Sequence, residues 1–195
     1  MDRLELYELI AGGEDSYTEF KRDPNQRTAF ANEMVAFANT EGGRILVGVD
    51  DDGTIVGVQD PRRVEEAILN IARDNCTPPI RPVIDHVRAD EGAVVIVGVP
   101  RRTGPPHENN SGQCYIRVGS TKRLATPQER ARLLQLAGLV HFDESPVAQT
   151  SVTDLDQAAF DAYYRRVFGA PLETADVPLP RMLENMRFVV KDIEG

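Results

Sequence analysis

Two glutamates, Glu14 and Glu19, stand just before Lys21 and Arg22 in the stretch EDSYTEFKR, and three aspartates, Asp50 to Asp52, follow the apolar run RILVGV. Acids and bases are therefore mixed at one edge of the fold. Further bases, Arg44, Arg117, Lys122 and Arg123, come from segments that adjoin this motif or end strands. Together with Lys21 and Arg22 they could line a groove that tracks phosphates, each contributing salt-dependent affinity. Ser120 and Thr121, after Gly119, could add backbone and hydroxyl donors to a phosphate. The same residue types also have purely structural uses. Aspartates in a DDDG turn terminate hairpins without any metal, and a glutamate beside a lysine can be an ion pair.

Other chemistries find little support. There is no GxxxxGK[ST] loop for ATP and no GxSxG elbow for a serine nucleophile. His86, His107 and His141 share no ligand spacing and read as surface or strand-edge imidazoles, with His107 alone lying in a loop where it could donate to a phosphate. Cys76 and Cys114 are far apart and read as two buried or half-buried thiols.

The elements that must position these residues follow from periodicity. RLELYELI reads as a short helix burying most of Leu4, Leu6, Leu9 and Ile10, stopped by Gly12 and Gly13. SYTEFK reads as a strand with Glu19 and Lys21 on one side, and Asp23-Pro24-Asn25 as a turn. Phe30, Met34, Phe37 and Ala38 recur at helical spacing from Thr28 onward. Asn39 and Gly42-Gly43 shape the passage into the next strand, and residues 44–58 read as a hairpin turning at DDDG. Asp60-Pro61 opens a helix that buries Val64, Ala67, Ile68, Ile71 and Ala72 and ends near Asn75. CTPPIRP must be extended, and VIDHV is a strand. AVVIVGV, at 93–99, is the most apolar run and belongs in the middle of the sheet. Residues 100–112 form a long loop, CYIRVG is a strand, and GSTKRLA leads into a helix over about 127–137 opened by Thr126-Pro127 with Glu129 completing a capping box. HFDESPVAQ reads as a linker. Thr153 to Asp156 starts another helix with Leu155, Ala159, Tyr163 and Val167 on one face and Gly169 at its end. After a loop over 170–180, the final LPRMLENMRFVVKDIEG offers a short helix and then an apolar FVV with nothing after it to pair with.

The 195 residues suit one domain and a tail, and 41% hydrophobic with 27% charged residues is ordinary globular composition. The net charge of -9 argues against a protein that grips nucleic acid over its whole surface, though a local basic groove remains compatible. Residues 1–134 carry 17 bases against 21 acids and the remainder 5 against 10, so any basic face belongs to the first part. No apolar run approaches the roughly 20 residues that span a bilayer, and the start of the chain lacks the layout of a secretory signal. No membrane association and a cytoplasmic location are expected.

EDSYTEFK, AFANTEGGRILVGVDDDGTIVGV and YIRVGSTKRLATPQE, in that order, resemble the Schlafen AlbA-type domain, also described as a divergent AAA domain, from about Glu14 to Leu136. The resemblance implies an α/β (α+β) fold with helices against a mixed sheet, and a nucleic-acid-binding, transcriptional-regulator module that takes DNA in preference to RNA and often pairs as a homodimer. In animal relatives that are RNA endonucleases it implies an acidic triad, matched here by Glu14, Glu19 and Asp51, with Asp50 the close competitor. Such carboxylates would hold Mg2+ or Mn2+, which stabilises charge on a transferring phosphate. Binding needs no cofactor. The readings in order are therefore DNA binding, then a metal-dependent endoribonuclease, then an oligomerisation or scaffold module suited to the acidic charge. The tail, from HFDESPVA through LENM, resembles the segment after this domain in RecG-like regulators. Residues 1–136 are thus expected to form the domain and 137–195 a linker and mainly helical extension leading toward further C-terminal domains.

Overall fold

Strands β1 (Thr18–Lys21) and β2 (Gly43–Val47) run parallel, and the connection between them is a helix, α2 (Arg27–Asn39). A parallel pair needs such a crossover, because a tight turn can only join antiparallel neighbours. The computed structural model describes residues 1–139, 150–186, 188 and 189. Antiparallel to β2 lies β5 (Ala93–Val99), and antiparallel to β5 lies β4 (Val83–Arg88), giving a mixed four-stranded sheet in the order β1-β2-β5-β4. AVVIVGV is thus a central strand, as its composition predicts.

Alternation along β2 and β5 divides the core into two faces. Ile45, Val47, Val95, Val97 and Val99 pack against α2 and α3 (Pro61–Asp74), while Leu46, Val94 and Ile96 pack with Leu6 of α1 (Arg3–Ala11) on the other side. Helix α2 is buried almost all round, from Phe30 to Asn39, because a β-hairpin covers the flank that the sheet does not. That hairpin joins β7 (Tyr115–Val118) to β8 (Thr121–Leu124), the turn being made by Gly119 at φ 62° with Ser120. A two-residue ladder of β3 (Cys76–Thr77) with β6 (Glu108–Asn109) ties the proline-rich segment to the long loop. Helix α3 opens on Asp60, whose side chain accepts from the Arg63 amide at 3.1 Å. Helix α4 (Pro127–Leu136) opens on the capping box of Thr126 and Glu129.

Several expectations need correction. The hairpin over 44–58 is reduced to one bridge, Val49 to Ile55, because the chain turns out of the ladder at Gly48, where φ is 103°. GSTKRLA is not merely a lead-in to a helix but contains β8, which its polar residues conceal. Of Leu4, Leu6, Leu9 and Ile10 in α1, Leu6 is fully buried, Leu9 and Ile10 are half-buried and Leu4 is exposed, since α1 rests on the sheet chiefly through Leu6.

The chain divides into two units, Met1–Val140 and His141–Gly195. In the second, α5 (Gln157–Phe168) and α6 (Leu179–Asn185) enclose Phe160, Met182 and Leu183, with turns of 3-10 helix at Val152–Asp154 and Leu172–Thr174. Helix α5 is capped by Asp156 and closed by Gly169 in the left-handed conformation. Its inner face is carried by Phe160 and Tyr163, and Val167 is exposed instead. Of the FVV segment, Phe188 meets the rings of Phe160 and Tyr163 at 5.5 and 5.6 Å, so it has packing partners within its own unit. Val190, the HFDESPVAQ linker and His141 lie outside the described residues.

Candidate nucleic-acid interface

Glu19, on the α2 side of β1, faces Glu33 of α2, and the Arg117 side chain from β7 lies between them. Its Nη1 donates to Glu19 Oε2 at 2.9 Å and to Glu33 Oε2 at 3.2 Å, and its Nη2 donates to the carbonyls of Asp15 at 2.8 Å and Ser120 at 3.0 Å. The guanidinium sits 4.2 Å from the centre of the Phe37 ring. Arg117 is only 1% exposed in its side chain, so it is an interior cation and is not presented to a phosphate. Two lysines close the cluster on its solvent side. Lys21 pairs with Glu19, and Lys122 of β8 pairs with Glu33.

Burial alone would raise both carboxyls, and their partners decide where each settles. For Glu19, Lys21 and then Arg117 outweigh burial and hold it below the usual carboxylate range. For Glu33, burial wins over the opposing Lys122, and the negative charge of Glu19 pushes it up further. Sequence reasoning passed over Glu33, although a carboxylate three residues after Phe30 and four before Phe37 lies on the apolar face and signals a buried partner. It also assigned Asn39 to turn-making alone. The buried Asn39 amide accepts from His107 N at 2.8 Å and donates to the carbonyls of His107 and Tyr115 at 2.8 and 3.0 Å, pinning the long loop and β7 to the end of α2.

The remaining acids of the motif are dispersed. Glu14 accepts from the Phe20 amide at 2.8 Å. The carbonyls of Tyr17 and Lys21 face β2, which leaves Phe20 pointing its backbone groups off the sheet edge, and Lys21 Nζ takes the Phe20 carbonyl at 2.8 Å. Glu14 and Lys21 therefore close the open edge of β1, where unpaired groups would otherwise invite another strand. Asp50 receives Arg22 at 3.2 Å, and Asp51 is exposed. Among the described residues, no group of three or more His, Cys, Asp or Glu side chains is placed to hold a metal ion. The carboxylates among these residues do not fit Mg2+ or Mn2+.

Lys21 and Arg22 line an open depression of about 610 Å³ at the carboxyl ends of β1 and β2, together with Asp23, Asp50, Asp51 and Asp52. Ligands in α/β sheets commonly bind at such ends. Here two bases face four carboxylates, which disfavours a polyanion. On the hairpin, Arg123 is committed to Glu129 at 2.7 Å, Thr121 donates to the Val118 carbonyl at 3.0 Å, and Ser120 is exposed at the turn. Arg44, half-buried on β2, has no side-chain hydrogen bond or ion pair with a described residue, and it lines a separate groove near Tyr17. The structure thus gathers Glu19, Lys21, Arg117 and Lys122 into one knot, and leaves Arg22 with Asp50, Arg123 and Arg44 apart from it.

The family model for Schlafen, AlbA_2 matches residues 14–126. The chain belongs to the Schlafen AlbA_2 family. In this family member the matched span takes in β1 through Thr126, the cap of α4, and so contains the whole sheet and the hairpin. Two solved structures are similar to this AlbA_2 chain. The DIP2311 protein from Corynebacterium diphtheriae aligns with 88% of this chain and 32% of its own length, at 19% identity and a TM-score of 0.48. This chain thus spans about a third of the Corynebacterium protein. The N-terminal domain of a RecG-related protein from Nitrosomonas europaea aligns with 63% of this chain and 92% of its own length, at 24% identity and a TM-score of 0.49. Among the described residues of the AlbA_2 chain, no helix is long and apolar enough to cross a membrane.

Proposed function

We propose that this AlbA_2 chain is a nucleic-acid-binding module, taking DNA in preference to RNA, that serves a transcriptional regulator and binds without cleaving. Nucleic-acid association is what family resemblance implies. The observation that favours binding over cleavage is the internal commitment of the motif's acids. Glu19 is neutralised by Arg117 and Lys21, and Glu14 is engaged by the Phe20 amide, while Arg44 has no ion pair with a described residue. Carboxylates spent on the fold are poor ligands for a catalytic metal, whereas an arginine without a carboxylate is ready for a phosphate oxygen.

The test incubates the chain with labelled tRNA, single-stranded DNA and duplex DNA, with Mn2+ or with chelator, at low and high salt. The expected result is salt-sensitive retention, strongest on DNA, with no shortened product under either metal condition. Cleavage that requires Mn2+ and is lost in both Glu19→Gln and the exposed Asp51→Asn would establish the nuclease instead. Retention of none of the three at low salt would leave a scaffold role.

A further inference from the structure

Arg44 and Arg81, which have no side-chain hydrogen bond or ion pair with a described residue, lie with Arg101 and Arg102 at the end of the sheet opposite Lys21 and Arg22. There β2 begins, β5 ends and β4 begins, and Thr18, Arg44, Gly98 and Val83 form one row across the four strands. Helix α1 packs over the next rows, on Leu46 and Ile96, and leaves this one open as a groove of about 430 Å³ lined by Arg44, Tyr17 and Gly98. Gly98 contributes no side chain, and Val83 beside it is 72% exposed. A second groove of about 250 Å³ is lined by Arg81, Arg101, Arg102 and His107 among prolines, and its lining holds no carboxylate.

The two grooves adjoin. Gly42, at φ 77°, is so close to the chain after β5 that a Cβ there would lie 2.8 Å from Val99 O and 2.9 Å from Arg101 N. Across that contact, four arginines face one acid, Glu41, which pairs with Arg101 at 2.9 Å. Arg102 donates to the carbonyls of Gly104 and Leu133 and so keeps its full charge unneutralised. Burial, followed by the like charge of Arg101, pushes Arg102 below its usual range, and His107 is lowered first by burial and then by Arg102.

We propose that the phosphate backbone of a bound nucleic-acid strand runs along this arginine end, contacting Arg44, Arg81, Arg101 and Arg102, and not along the Lys21–Arg22 depression. The inference rests on the nucleic-acid-binding reading and locates its interface. Cations spread along two open, adjoining grooves suit a row of phosphates better than a single anion. Tyr17, 50% exposed on the same groove, offers a ring on which a base can stack. A local basic face of this kind reconciles strand binding with a chain of net charge -9.

Anisotropy of a labelled single-stranded oligonucleotide, titrated with the full chain over a range of salt, tests the location. Arg44 and Arg81 have no side-chain hydrogen bond or ion pair with a described residue, so Arg44→Gln/Arg81→Gln should melt like the wild type. It should bind on the order of tenfold more weakly, with a log K against log salt slope shallower by about 1 to 2. Arg44→Lys/Arg81→Lys should recover most of the affinity, and Arg22→Gln, at an exposed position of the other depression, should melt and bind like the wild type. Unchanged binding by Arg44→Gln/Arg81→Gln, or loss in Arg22→Gln alone, overturns the location while the binding function stands. A wild type that binds no oligonucleotide overturns the binding function, and this inference with it.

Discussion

Arg117 is the residue on which the motif depends. Its removal would leave Glu19 and Glu33 facing each other inside the protein, and stripping one partner from a buried pair costs about 3–5 kcal/mol. Arg117→Ala should lose stability on that scale in urea unfolding, and a loss below about 1 kcal/mol would mean the carboxyls find other partners or water. The pair also shapes the response to pH. Glu33 holds its proton to higher pH in the folded state than in the unfolded chain, so this group makes stability fall as pH rises above its ordinary value of 4.5. Glu19 has the opposite sign, because its depressed value gives stability that is present above 4.5 and lost on acidification. Glu33→Gln should therefore abolish the decline with rising pH and keep the acid loss, as denaturation midpoints across the acidic range will show. Little of this was legible in the sequence. Arg117 is 84 positions from Glu33 and 98 from Glu19, and local patterning carries no information about pairing over such separations.

At the scale of elements, the legible parts were those whose signals are local. Asp60-Pro61 and Thr126-Pro127 with Glu129 are cap and first-turn residues in a fixed spacing, and both helices start where that spacing places them. Thr126→Ala should cost about 1 kcal/mol, read as fraying of α4 in amide exchange. β8 was hidden because Thr-Lys-Arg-Leu is polar and mostly exposed and so shows no apolar alternation. The end of the 44–58 hairpin was hidden because RILVGV continues apolar past the point where Gly48 leaves the ladder. Glu14 acts at this scale also. Glu14→Ala should speed exchange of the Phe20 amide and leave the β1 edge open to self-association, whereas an unchanged Phe20 amide would show that the 2.8 Å bond does not hold the edge. Gly42→Ala combines positive φ with backbone contacts under 3.0 Å and should be among the most damaging small substitutions, costing more than about 2 kcal/mol in thermal or urea unfolding.

For the whole molecule, charge is partitioned. The motif end of the sheet holds carboxylates around Lys21 and Arg22, the interior consumes Glu19, Glu33 and Arg117, and the opposite end exposes arginines with one acid among them. The net charge counted along the sequence conceals this arrangement, because Arg44, Arg81, Arg101 and Arg102 come from separate segments that only the sheet brings together. The central claim is that the domain holds nucleic acid electrostatically and leaves it intact. The measurement that tests it most directly is the binding isotherm of the wild type for a labelled single-stranded DNA in chelator, repeated from about 50 to about 200 mM salt. Saturable binding whose log K falls linearly with log salt, and a strand recovered at full length, are expected. No binding at the lowest salt, or affinity indifferent to salt, would contradict it.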